Sequence, residues 1–398
     1  MNILVVGNGF DIAHNLPTSY KAFLYFTDVF IEFSKSQKTG RYPTAKSKDD
    51  TRVFDYLTQL YQSTDSKETT LIKELVSLTS DNIWLEHFKR IQIKDGWVDF
   101  EREISQVIQA LDEVRHAVRK EVQTSGKFTK LTPYQSEKLQ LLFGDGTLVS
   151  GLEPIIVQKE KLLDDLNRLT RCLEIYLCSF VERLTVSQKI PCISNLDIDG
   201  VISFNYTHTF EIVYDNATQK KGYYDFVHGE AVENSDVDHC NMIIGIDEYL
   251  SGEDRDRDNE FVYFKKFFQR IYKETGSSYR EWLSQSIPCP AQKFNPKPSK
   301  IYIYGHSLDA TDKDILRALL LSENTEVTIF YHNKKALANQ IENLIKVIGE
   351  DELVHRTGGV HQTIRFLDIE TANKWSKADL IDPIEALLQA CIYKQIFT

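Results

Sequence analysis

The chain has 398 residues, 42% hydrophobic and 26% charged, and its 47 Lys+Arg against 58 Asp+Glu leave a net charge of −11. These proportions describe a globular protein with room for one large core or two to three ordinary ones, and the acidic balance excludes holding nucleic acid through general basicity. The cysteines (Cys172, Cys178, Cys192, Cys240, Cys289 and Cys391) show neither CxxC nor metal-ligand spacing and read as reduced thiols. No run approaches the ~18 apolar residues of a membrane helix, and the chain opens on a core strand without a signal peptide, so a cytoplasmic protein with no membrane contact is expected.

The first element is the run Ile3-Leu4-Val5-Val6, whose unbroken apolar character marks a strand buried on both faces of a parallel sheet. Gly7-Asn8-Gly9 follows, where glycine lets the backbone turn sharply and approach a ligand. The residues after it read as a helix ending at Pro17. Strand, glycine turn and helix start together outline an anion and nucleotide site. The full dinucleotide fingerprint asks for a third small residue at position 12, which is Ile12.

From about residue 18 to 195 the apolar residues fall at helical spacing: Phe23, Phe26 and Phe30, then Phe88 and Ile91, then Leu163, Leu166, Leu169, Leu173 and Leu177. Gln37–Asp50 reads as a loop, and Ser125–Gly151, with Gly126, Gly144, Gly146 and Gly151, as a break between two helical parts. Strand-length runs then recur at Val201–Phe204, Tyr223–Val227, Met242–Gly245, Ile301–Tyr304, Val327–Tyr331 and Thr363–Leu367. A helical piece at Glu260–Ser284 separates the Met242 and Ile301 runs, and residues 383–396 read as an amphipathic helix. The alternation predicts an α/β fold: a parallel, Rossmann-like sheet flanked by helices, formed by residues 1–20 and 196–398. A large helical insertion at residues 21–195 interrupts it as a lid, assembly surface or sensor.

Open parallel sheets bind ligands beyond the carboxyl ends of their strands. Polar groups follow the runs in turn: Gly7-Asn8-Gly9-Phe10-Asp11, Asn205-Tyr206-Thr207-His208, His228-Gly229-Glu230, Asp247-Glu248 and Gly305-His306-Ser307-Leu308-Asp309. Each admits a plain reading beside a functional one. Asn205 is a turn former that caps its own backbone, or a fixed amide that orients a water or a ribose hydroxyl. His228 is a satisfied core histidine, or a general base near neutral pH. Asp11 caps a helix, binds a ribose hydroxyl, or does both. Gly305-His306-Ser307 is a strand-to-helix turn or a nucleotide loop. Asp99 and Glu101 oppose a helix macrodipole or reach the cleft. Ser251–Glu260 reads as a solvated loop, and Phe261–Arg270 as a helix packing its aromatic side.

Four of these motifs, Gly7–Tyr20, Ser203-Phe204-Asn205-Tyr206-Thr207, Val227-His228-Gly229 and Tyr304–Asp309, in that order, resemble the AbiH family of abortive-infection proteins. The resemblance runs through essentially the whole chain and implies a bacterial, cytoplasmic protein of phage defence. More distantly, the same order resembles the sirtuin-like NAD-binding fold. That likeness implies that Gly7, Asn8 and Gly9 wrap the cofactor phosphates with Asp11 on a ribose hydroxyl. Asn205 would position the nicotinamide ribose and a water, His228 would be the general base, and the Gly305-His306-Ser307 loop would meet the adenosine ribose.

The departures are Asp11 for the usual Ser, Asn15 for the Gly before Leu-Pro, and Thr207 where sirtuins have the Asp that contacts nicotinamide. The zinc cysteines of the deacylases are absent. Protein deacylation is therefore not expected, and what the likeness to defence proteins of this broad fold implies instead is hydrolysis of NAD at the nicotinamide glycosidic bond, with NAD as substrate or ligand and no metal or tightly bound cofactor. The partners expected are a nucleotide, a phage-encoded trigger and further copies of the chain in a homo-oligomer. Two other readings stand beside it. One is a non-catalytic nucleotide-binding sensor, which Thr207 favours. The other is a metal-dependent nuclease using Asp99, Glu101 or Asp247, against which the acidic balance counts.

Overall fold

The computed structural model describes the chain except residues 38–42, 46–50, 96–97, 125–128, 145–147, 187, 216–222, 251–256, 285–297, 360–361 and 377–398. The helix expected at residues 383–396 and most of the Gln37–Asp50 loop lie outside the described residues. Two compact units form: Met1–Leu16 with Leu184–Glu230 and Thr275–Thr398, and Pro17–Arg183 with Ala231–Glu274. The helical unit thus takes in Ala231–Glu274, which composition alone assigns to the α/β core. Among the described residues no helix is long and apolar enough to cross a membrane.

The first unit is built on a six-stranded sheet, all parallel: β1 (Asn2–Val6), β2 (Gly200–Ser203), β3 (Tyr223–Phe226), β4 (Ser299–Tyr304), β5 (Thr325–Tyr331) and β6 (Ile364–Asp368). Their order is β3-β2-β1-β4-β5-β6, that of doubly wound nucleotide-binding sheets, in which the chain changes direction beside β1. Ile3 pairs with Ile301 on one side, and Leu4 with Val201 on the other.

Alternation along the strands feeds two cores. Ile3, Val5, Ile202, Ile301, Ile303 and Ile329 face Leu316 and Leu319 of the helix Lys313–Leu320 and Leu344 of the helix Lys334–Ile348. Leu4, Val6, Val201, Tyr302 and Tyr304 face Phe10, Ile193, Phe210 and Tyr214. The helix Lys334–Ile348 starts where Asn333 Oδ1 accepts the Ala336 N–H at 2.8 Å and stops at Gly349, whose φ is 90°.

One expected strand does not form. Met242–Gly245 belongs to the helical unit, and among the described residues it forms no strand, an isolated bridge joining the next residue, Ile246, to Lys265. The run is apolar because it is buried, and side chains replace a neighbouring strand: Gln269 Nε2 donates to the Ile244 carbonyl at 3.1 Å and Lys273 Nζ to the Met242 carbonyl at 2.7 Å. Asp247 and Glu248 therefore do not stand at a sheet edge.

In the helical unit, Tyr20–Ser36, Thr51–Gln62, Ser66–Thr79, Ile83–Asp95, Phe100–Thr124 and Glu153–Tyr176 enclose an aromatic core. The rings of Phe88 and Phe100 stack at 3.9 Å, and Tyr20 stacks on Phe100 at 4.0 Å. Buried ion pairs cross it. Glu174, with 0% of its surface exposed, accepts from Arg171 at 2.7 Å and from the Val232 N–H at 3.1 Å. Arg171 also donates to Glu74 at 2.8 Å. Removing one partner of a buried pair strands the other, so Glu174→Ala should lower stability by about 3–5 kcal/mol. Chemical denaturation checks this; a loss under 1 kcal/mol would mean that the pair is hydrated.

Candidate functional site

At the switch point the ends of β1 and β4 pack backbone against backbone. The Gly9 N–H donates to the Gly305 carbonyl at 2.8 Å, the Gly7 N–H to Tyr304 at 3.1 Å and the Phe10 N–H to the Gly7 carbonyl at 2.8 Å. A Cβ on Gly7 would lie 2.8 Å from the Gly305 carbonyl oxygen. Glycine is required in this turn by the neighbouring loop, and the N–H groups of Gly7, Gly9 and Phe10 are engaged inside the protein. Asn8 and Ser307 remain exposed at its surface, and His306 is buried.

Beside this contact, over the ends of β1, β2 and β3, lies a narrow, half-open pocket with room for little more than a water-sized group. It is lined by Asp11, Ser203, Asn205, Thr207, His208 and Thr209, with Phe10, Phe210, Tyr224 and Phe226 among its apolar walls. The helix Asn8–Ala13 places Asp11 on the pocket side, 1% exposed. Asp11 Oδ2 accepts from the Thr207 hydroxyl at 2.6 Å, and Thr207 accepts from Thr209 at 3.1 Å. Asn205 donates from Nδ2 to the Gly7 carbonyl at 3.0 Å, so β2 and the glycine turn are tied together there. At the rim, His208 Nε2 lies 3.0 Å from Glu230, and this bond, with the opposing effect of burial, leaves the Glu230 carboxyl below its ordinary range.

Under the pocket, His14 donates from Nδ1 to the Phe10 carbonyl at 2.7 Å, and its Nε2 accepts from the Tyr214 hydroxyl at 3.0 Å. The Phe10 carbonyl can only accept, so Nδ1 of the neutral ring carries the proton and Nε2 accepts, and the Tyr214 oxygen also accepts from the Ile190 N–H at 2.8 Å. Burial pushes the His14 pKa below its ordinary 6.5. The unfolded chain therefore takes up this proton first as the pH falls, and the stability His14 contributes is complete above about pH 6.5 and declines below it. The melting temperature of His14→Gln should fall less than that of the wild type between pH 7 and 5. Parallel profiles would contradict this.

His228 and His306 are not among the residues lining the pocket. They come together around Asp312: His228 Nε2 is 3.0 Å from one carboxylate oxygen, and His306 Nε2 is 3.7 Å from the other. His306 Nδ1 accepts from the Leu308 N–H at 2.9 Å, so Nε2 of the neutral ring carries the proton and faces the carboxylate. The Phe204 ring meets both imidazoles, at 5.3 Å and 4.2 Å between centroids. Phe204 is thus the link between Asn205 at the pocket and this cluster.

Sequence reasoning did not single out Asp312 or Thr209. The only signal for Asp312 is its spacing from Asp309, which accepts the Thr311 N–H at 3.0 Å in the turn that ends at Asp312. Thr209 alternates with Thr207, so both hydroxyls reach the same side.

The acidic residues weighed for a metal serve elsewhere. Asp99 accepts the Arg102 N–H at 3.1 Å at the start of its helix, and Glu101 pairs with Lys266 at 2.8 Å. Asp112, His116 and Asp258 come close enough to share a cation. The Arg115 guanidinium already occupies that position, in contact with both carboxylates. Burial and the Cys178, Cys192 and Cys240 surroundings hold those thiols high, Cys178 at about 11 and the other two at about 12, consistent with inert core residues.

No curated protein and no solved structure matches the chain. Residues 3–332 match the family model described as "Bacteriophage abortive infection AbiH". That span holds the glycine turn, Asn205, His228, Gly305 and Asp312, the residues around which the first unit's sheet edge is organised. The chain belongs to the AbiH family of bacteriophage abortive-infection proteins.

Proposed function

We propose that this abortive-infection protein acts on NAD or a related nucleotide at the carboxyl edge of its parallel sheet, breaking the glycosidic bond to nicotinamide. The observation that carries the reading is the contact between Asp11 and Thr207 in the pocket. Those are two of the positions at which the chain departs from the sirtuin-like pattern. A carboxylate arriving from Asp11 stands beside Thr207, where that pattern has its own carboxylate.

Breaking the bond leaves an oxocarbenium-like sugar, whose positive charge the buried Asp11 opposes. Asn205 holds the attacking water on the ribose face, and His228 accepts a ribose or water proton. With the Gly7 and Gly9 N–H groups engaged internally, phosphate contacts fall to the exposed Asn8 and Ser307 on the surface of the Gly305-His306-Ser307 turn. The helical unit is left to sensing and assembly, through a phage-encoded trigger and further copies of the chain.

A second reading, nucleotide binding without turnover, is favoured by the position of His228 beside Asp312 rather than in the pocket lining. Incubating purified protein with NAD and following free nicotinamide separates the two. Release that disappears in Asn205→Ala supports hydrolysis. A rise in melting temperature with NAD and no release supports the sensor.

A further inference from the structure

In the helical unit, the helix Lys266–Tyr272 is inverted in polarity. Its inward residues are polar. Lys266 pairs with Glu101 at 2.8 Å, and Lys265 just before it with both oxygens of Glu248 at 2.8 Å. Gln269 donates to the Ile244 and Tyr263 carbonyls at 3.1 and 3.0 Å. The backbone of Ile246 clamps the start of the helix: its N–H donates to Phe264 at 2.8 Å and its carbonyl accepts from Lys266 at 2.9 Å. Of the aromatic residues expected to pack inward over Phe261–Arg270, Phe261 and Phe264 do so. Tyr263 and Phe267 face outward with Ile271 and Tyr272, each between 44% and 75% exposed. Phe267 and Ile271 are one helical turn apart, as are Phe268 and Tyr272. The Phe268 ring joins the patch together, 4.8 Å from Tyr263 and 5.8 Å from Tyr272.

A helix that meets only water turns its polar side outward. At roughly 200 Å² per side chain, the exposed fractions here leave about 400–500 Å² of apolar surface, a size at which patches are often functional. A standard interface takes ~800 Å² from each partner, roughly 57–65% of it apolar, which is the same amount.

We infer that this face is where a second copy of the chain docks, across a two-fold axis, with the two helices antiparallel. A two-fold interface uses one patch on both chains, and a stripe whose rows repeat each turn complements itself when reversed. Lipid and nucleic-acid surfaces fit less well, because they are held by cations beside the apolar residues. The Lys265 and Lys266 ammonium groups are instead turned inward onto glutamates. The clamped backbone presents the patch in one conformation, which lowers the ordering cost of docking a protein. The inference rests on the assembly role proposed above for the helical unit, and not on NAD turnover.

Sedimentation velocity of the full-length protein from ~1 to ~100 μM, spanning weak to moderate dimers, is the test. The expected species is a dimer of the 46.0 kDa chain. Phe267→Glu and Ile271→Glu should each weaken it by about a hundredfold or more, because every substitution enters a two-fold interface twice. Ile93→Glu, at an exposed residue of the helix Ile83–Asp95, should leave it intact. If the patch variants do not fold, hydrogen exchange of the wild type serves: residues 263–272 should lose protection on dilution, and unchanged protection overturns the inference. A wild type that stays monomeric throughout overturns it, and flotation of that monomer with phosphatidylcholine vesicles would assign the face to lipid. A dimer that survives both glutamates overturns it as well. A wild type that dimerises through this face without releasing nicotinamide from NAD fails only the hydrolysis reading.

Discussion

Gly305→Ala is expected to abolish soluble, folded protein. The φ of Gly305 is +69°, and a Cβ there would lie 2.3 Å from the Phe10 nitrogen and 2.5 Å from the Gly9 carbonyl carbon. Both are backbone atoms of the turn after β1, so no side chain can swing aside. Relief requires the β1 turn and the β4 turn to separate, which breaks the 2.8 Å bond from Gly9 to Gly305. Positive φ alone costs of order 1–3 kcal/mol. With the overlap, the total should exceed about 4 kcal/mol, a large part of the ~5–15 kcal/mol that holds a domain together. Gly349→Ala is the control, since its φ is +90° but a Cβ there meets nothing within 4 Å. Soluble yield and thermal denaturation compare the two. Equal, mild losses would show that the turns do not pack as described.

His228→Gln should fold and lose about 10²–10⁴-fold in NAD turnover, the range a general base contributes. Glutamine retains an amide near Asp312 and some of the packing against Phe204, whereas alanine would leave that carboxylate with a void beside it. The kinetic constants carry the diagnostic: kcat should fall while KM changes little, since His228 is not among the residues lining the pocket. Full turnover in the variant removes His228 from the mechanism.

The sheet was legible in the sequence because parallel strands buried on both faces are written as short, continuous apolar runs, as in Ile3–Val6 and Ile301–Tyr304. The same signal misled at Met242–Gly245, since burial writes an apolar run whether a strand or side chains such as Gln269 and Lys273 satisfy its carbonyls. Glycines at positions 7, 9 and 305 announced a close approach. Pattern alone did not say whether a ligand or another turn approaches. The answer is the other turn, and that depends on residues about three quarters of the chain apart, Gly7 and Gly9 against Gly305.

Asn205, Asp11 and His228 were readable as polar groups following strands, which is a local property. Their grouping is not local. Asp11 meets Thr207 through the pairing of β1 with β2, and His228 meets Asp312 from opposite sides of β1 in the sheet order. The segment Ala231–Glu274 joined the helical unit through contacts such as Val232 with Glu174, which composition does not encode.

Cellular NAD, followed after induction of the wild type beside Asn205→Ala and His228→Gln, tests the central claim most directly, with a parallel culture under phage infection to supply a trigger. The account predicts that NAD falls in the wild type, and not in either variant, as growth stops. Growth arrest in the infected wild type with NAD unchanged would contradict it.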